Sequence, residues 1–166
     1  MGLRHRGLDG PTFRMREKIM AIGDDYWIED DDGNKVFKVN GKAARLRETF
    51  ILEDAQGNEL SKIQEKKLSV RDKMTIERGE MKATVHKRLL GIRDHYVIDV
   101  DKGEDLTAHG NIVDHEYEIE RDGDTVAKVS KKWFRLRDTY GVQLAEGEDP
   151  ALVLSITVCV EAMSHD

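Results

Sequence analysis

The stretch Tyr26-Trp27-Ile28-Glu29-Asp30-Asp31-Asp32-Gly33-Asn34-Lys35-Val36-Phe37-Lys38-Val39 decides the fold. An aromatic and apolar run meets an acidic glycine turn and returns as a second apolar run. Tyr26 and Ile28 stand two apart, as one face of a strand requires. Gly33 supplies the positive φ of a tight hairpin, so the two runs are expected to pair antiparallel. A basic connector with Lys42, Arg45, Leu46, Arg47 and Glu48 then leads into the next unit.

The unit recurs about six times, at a spacing of roughly 20 to 24 residues. Phe50 and Leu52 lead to the turn Gln56-Gly57-Asn58, Met74 and Ile76 to Gly79, Tyr96 and Ile98 to Gly103, and Tyr117 to Gly123. Tyr140, Val142 and Leu144 continue the same alternation in the final run. An apolar residue, Arg, an acid and then an aromatic or Met recur at Leu46–Phe50, Val70–Met74, Ile92–Tyr96 and Leu136–Tyr140. With an opening strand over Phe13 to Met20, the pattern gives about 12 successive strands and almost no helical period. So large a sheet must curl, split or close, and closing an even number of up-and-down strands removes both exposed edges.

A barrel of roughly 8 strands is filled by its own side chains, whereas one near 12 has a wider lumen that something must plug. The tail from Pro150 to Met163, Pro-Ala-Leu-Val-Leu-Ser-Ile-Thr-Val-Cys-Val-Glu-Ala-Met, is apolar on nearly every side. Its β-branched residues favour a strand by propensity. A helix is expected instead, because it satisfies its own backbone inside an apolar tunnel and has Asp149 as N-cap and Pro150 at its first position. Ser61, Ala83 and Ala127 alternate with Ile63, Val85 and Val129, and as small inward residues they leave room for such a plug. The run is shorter than the ~20 residues of a transmembrane helix.

At 166 residues with 36% charged side chains and a formal net charge of -6, the chain reads as one soluble domain over 13–166. A disordered leader is expected over 1–12. No apolar signal core precedes Thr12, and Arg6 stands where a myristoylation motif needs Ser or Thr. The acidic balance argues against a nonspecific nucleic-acid binder. The lone Cys159 excludes an intramolecular disulfide and suits a reducing, cytoplasmic setting, where it reads as a packed thiol.

Because alternate connections of a meander emerge at the same end, the repeat sorts its charges. Summed over the hairpin turns the charge is about -16, and over the connectors about +5. The connector end therefore supplies the candidate anion-binding residues: Lys42, Arg45, Lys66, Lys67, Lys87, Arg88, Lys131, Lys132 and Arg135. Trp133, Phe134, Leu89 and Leu90 are interleaved with them. A blander reading pairs the Arg and acid of each tetrad in a ring of surface salt bridges, each worth little. At the other end Asp30, Asp32 and Asn34 suggest part of a calcium loop, but Gly41 stands where the bidentate Glu belongs, so solvated turns are expected. His86, His95, His109 and His115 lack zinc spacing, and no nucleophile elbow, phosphate loop or dinucleotide fingerprint occurs, so neither an enzyme nor a cofactor is expected.

The opening Arg14-Met-Arg-Glu-Lys18, the Asp-Gly-Asn and Gln-Gly-Asn hairpins, Val129-Ser-Lys-Lys-Trp133, Asp138-Thr-Tyr140 and the apolar tail together resemble the LURP-one-related proteins. That family lies within the tubby C-terminal-domain-like superfamily, which also holds the phospholipid scramblases. The resemblance covers about Phe13 to Met163 and implies a closed barrel of about twelve strands around a central hydrophobic C-terminal helix. Charge sorting and the resemblance together suggest a non-enzymatic binding module, with an anionic phospholipid surface or a protein as partner. No ligand residue of those relatives aligns here. The other readings are a small-molecule-binding barrel or enzyme using space between wall and helix, and a purely structural partner-binding protein.

Overall fold

The computed structural model describes residues 8–17, 25–41, 49–66, 73–88, 95–134 and 138–164. Among them twelve strands follow one another: β1 (Thr12–Arg16), β2 (Asp25–Asp30), β3 (Lys35–Asn40), β4 (Thr49–Asp54), β5 (Glu59–Lys66), β6 (Lys73–Arg78), β7 (Met81–Arg88), β8 (His95–Val100), β9 (Leu106–Asn111), β10 (Glu116–Arg121), β11 (Asp124–Ser130) and β12 (Thr139–Leu144). One helix, α1 (Pro150–Ser164), follows them. Each strand pairs antiparallel with its chain neighbours, and β1 closes the barrel on β12 through pairs such as Phe13↔Val142 and Met15↔Tyr140. The opening strand spans Thr12 to Arg16, and residues 18–20 of the expected run to Met20 lie outside the described ones, as do 21–24.

The period of two sorts the wall as the sequence requires. Ile28, Phe50, Leu52, Met74, Ile76, Tyr96, Ile98, Tyr140, Val142 and Leu144 are all buried, while polar residues alternate with most of them outside. Ten consecutive helix residues, Val153 to Ala162, are buried, so every face of α1 meets the wall and the helix fills the lumen along its axis. Burying each Val, Leu or Ile there stabilises the fold by about 1.5–3 kcal/mol. The small residues Ser61, Ala83 and Ala127 are buried as expected, and the Ser61 hydroxyl hydrogen-bonds the Ser155 hydroxyl on α1.

Asp149 caps the helix. Its Oδ1 accepts the Ala151 N–H at 3.2 Å and its carbonyl accepts Val153 N–H at 3.1 Å. Arg78 (Nε to Asp149 Oδ2, 3.0 Å) and Arg121 (Nη1 to Glu148 Oε2, 2.9 Å) tie the helix entrance to the β6–β7 and β10–β11 hairpins. The helix therefore enters at the acidic hairpin mouth and ends at the connector mouth.

Candidate functional site at the connector mouth

Of the cations the sequence assigns to this mouth, Lys66, Lys87, Arg88, Lys131 and Lys132 are exposed at strand ends or just beyond them. Lys42, Arg45, Lys67 and Arg135 lie outside the described residues, as do most of the Arg–acid tetrads. Lys66, Arg88 and Lys132 have no ion-pair partner among the described residues. Lys131 does: its ammonium lies 2.9 Å from Glu17 Oε1. That ammonium holds the Glu17 carboxyl below its ordinary value, against the opposing pull of partial burial, and Glu17 in turn raises Lys131. Glu17 reaches this mouth because β1 runs toward it, and its N–H donates to the Asp138 carbonyl at 2.9 Å.

The two large hydrophobic side chains that stand exposed among the described residues share this rim. Val113 (59% exposed) tips the β9–β10 turn, and Trp133 (40% exposed) lies in the connection from β11 to β12. Trp133 does not project freely. Together with Phe134 it folds back over Gly141 on the outer face of β12, where an added Cβ would come within 2.7 Å of Trp133 Cε3 and 2.8 Å of Phe134 Cε2. The Arg14 guanidinium lies over the Phe134 ring, 4.7 Å from its centre. Trp133 thus stays part-exposed, directly after Lys131 and Lys132 in the chain.

Beneath the rim lies a polar group that sequence reasoning missed. Alternation along β10 turns Tyr117 and Ile119 inward, and His115 is in phase with them. His115 takes the left-handed conformation (φ 55°), and its N–H closes the turn on the Ile112 carbonyl at 3.0 Å. Its ring, 3% exposed, stacks on Tyr140 at 4.6 Å and 7°. Nδ1 lies 2.8 Å from Glu161 Oε1, the Tyr117 hydroxyl donates to Glu161 Oε2 at 2.9 Å, and His115 Nε2 faces Glu17 Oε1 at 3.4 Å. Burial, and then the Glu161 charge, push the Tyr117 hydroxyl well above its ordinary pKa. A contiguous line therefore runs from Lys131 on the surface through Glu17 and His115 to the last turns of α1. The signal was present in the sequence: Glu161 is the one charged residue in an otherwise apolar helix, and a buried carboxylate requires partners.

Elsewhere the titratable groups are engaged locally. Asp30 Oδ1 accepts the N–H groups of Asp32 and Asn34, and Asp54 Oδ1 those of Gln56 and Asn58, all at 2.9 Å. The carboxylate suggestive of a calcium ligand thus holds its own hairpin together. On the outer wall His86 pairs with Asp99 at 2.9 Å, His109 with Glu120 at 3.0 Å, and His95 stacks on His109. No three His, Cys, Asp or Glu residues converge as metal ligands among the described residues. Burial pushes the Cys159 thiol far up, which suits packing and not nucleophilic chemistry. No described helix is long and apolar enough to cross a membrane.

A family model described as LURP-one-related matches residues 11–161, nearly the whole barrel and its helix. The chain belongs to the LURP-one-related family. Among solved structures, this LURP-one-related barrel is similar to the X-ray structure of a protein from Arabidopsis thaliana, with a TM-score of 0.59 and 16% identity. The likeness covers 96% of this chain and 95% of that one, and at this identity it speaks for the shared fold alone. No curated protein matches the sequence.

Proposed function

We propose that this protein is a non-enzymatic binding module that docks its connector mouth on an anionic phospholipid surface. Lys66, Lys87, Arg88, Lys131 and Lys132 are the headgroup contacts among the described residues, and Lys42, Arg45, Lys67 and Arg135 belong to the same proposed set. One observation carries the reading: exposed Val113 and Trp133 share a rim with Lys66, Arg88 and Lys132, which have no ion-pair partner among the described residues. Each Lys or Arg near an anionic surface adds about 1 kcal/mol, and aromatic and apolar side chains favour the headgroup layer. The acidic hairpin mouth gives the docking a sense, since it is repelled by the same surface. Membership of the family and the filled lumen favour binding at a mouth over chemistry in the interior. The protein would act in the cytoplasm, peripheral to the membrane.

Cosedimentation with phosphatidylcholine vesicles carrying increasing phosphatidylserine tests this. Binding should rise with phosphatidylserine, fall with salt and be lost in the K66E/R88E/K132E variant. Binding that ignores both lipid charge and salt, or none at all, contradicts it. A stoichiometric acidic companion on native purification, with no vesicle binding, would transfer the mouth to a protein partner.

A further inference from the structure

The membrane reading treats Lys131 as a contact, yet its ammonium is already spoken for. Glu17 Oε1 holds it at 2.9 Å, and Glu17 is itself fixed in place. Its N–H is anchored on Asp138, and His115 Nε2 lies 3.4 Å from the same carboxylate oxygen. Glu17 is 21% exposed and Lys131 47%, so the acid sits deeper and the lysine is the partner with room to turn outward. The neighbouring Lys132 has no such acid among the described residues. Two adjacent lysines on one rim thus differ in state, one open and one masked.

We infer that Glu17 is an internal competitor that masks Lys131, so that an anionic headgroup must displace this carboxylate to engage the lysine. The inference rests on the membrane reading and adds to it a built-in restraint on affinity. A headgroup phosphate reaching Lys131 meets a carboxylate of like charge at the same ammonium, and only one can occupy its inward face. The anchoring by Asp138 and His115 keeps the competitor at hand after displacement, so masking is reversible. Glu116 sharpens the contrast: its Oε2 accepts the Lys131 backbone N–H and the Ser130 hydroxyl, both at 3.0 Å, so it holds the backbone, while Glu17 is the acid within ion-pair distance of the ammonium and the Asp114 and Asp138 charges act on it less.

The test is a double-mutant cycle read by binding to phosphatidylcholine–phosphatidylserine vesicles, with wild type, E17Q, K131M and E17Q/K131M, and E104Q at the acidic mouth as a control for bulk charge. E17Q should tighten binding about two- to five-fold, the range an exposed ion pair commands. E104Q should leave affinity unchanged, and the gain should vanish in the K131M background. An E17Q affinity equal to or below wild type, or an equal gain in E104Q or in the K131M background, overturns the masking. Should neither wild type nor E17Q bind these vesicles, the membrane reading itself falls and takes the inference with it. Salt-sensitive binding that E17Q leaves unchanged sinks the masking alone.

Discussion

His115 Nδ1 lies 2.8 Å from Glu161 Oε1, both residues almost wholly buried, one on a turn of the wall and the other on the central helix. Nothing in chain order brings them together. The barrel does so because the β9–β10 turn and the end of α1 share one mouth. The contact, with the Tyr117 hydroxyl on the same carboxylate, fixes how deep and at what rotation the helix sits, since apolar packing alone tolerates sliding.

Removing that carboxylate leaves the His115 N–H and the Tyr117 hydroxyl buried without their acceptor. E161A should therefore lower unfolding stability by about 2–4 kcal/mol. E161Q should cost less, because the amide oxygen still accepts. Denaturant titration measures both, and an E161A cost within experimental error of zero would show that the network does not seat the helix.

Cys159 sits two residues before Glu161, and burial pushes its thiol far above the ordinary range. As the chain's one cysteine it reports on the seat of the helix. Native protein should react slowly with an aromatic disulfide reagent, and E161A about tenfold faster or more, as opening becomes easier. Equal rates would mean that the thiol is reached by a route independent of the helix.

Gly141 is required by sterics, since no ring could lie over β12 if a side chain stood there. G141V should displace Trp133 and Phe134 from the wall and release Arg14 from its ring. A red shift of the indole emission, in a W27F background that leaves Trp133 alone, is the expected reading, with a stability loss of about 1–3 kcal/mol. Unchanged emission would contradict the packing.

Hydrogen bonds from their own turns hold the Asp30 and Asp54 carboxyls below the ordinary aspartate value of 3.8, against an opposing desolvation. A depressed folded pKa contributes stability that is complete above the unfolded value and lost as pH falls through the folded one. D30A/D54A should thus be less stable than wild type at neutral pH. The gap should close as both are taken through and below the unfolded-state range, about pH 4. A gap that stays constant into strong acid would show that the turns do not depend on ionised carboxylates.

How much of this was legible follows from range. Alternation at Phe50 and Leu52 or Tyr96 and Ile98, the turns at Gly33 and Gly57, and the cap at Asp149 are local signals, and each predicted its element. The plug followed from counting strands and asking what fills the lumen, against the strand propensity of Val153, Ile156 and Val158. The connector mouth was legible only in outline. Glu17, His115 and Lys131 lie far apart along the chain and meet through closure of β1 on β12, which charge sorting by connector does not register. The sequence count accordingly omitted Glu17 and Glu116 from the basic mouth, and it gave no sign that the missing side chain of Gly141 lets Trp133 fold down on the wall.

Orientation on the membrane tests the central claim most directly. A fluorophore placed on V113C at the connector mouth, and separately on E104C at the hairpin mouth, would be read against phosphatidylcholine–phosphatidylserine vesicles carrying headgroup spin labels, with the native Cys159 buried and silent. Quenching at position 113 and not at 104 is the predicted result. Equal quenching at both positions, or quenching at 104 alone, would contradict docking through the basic rim.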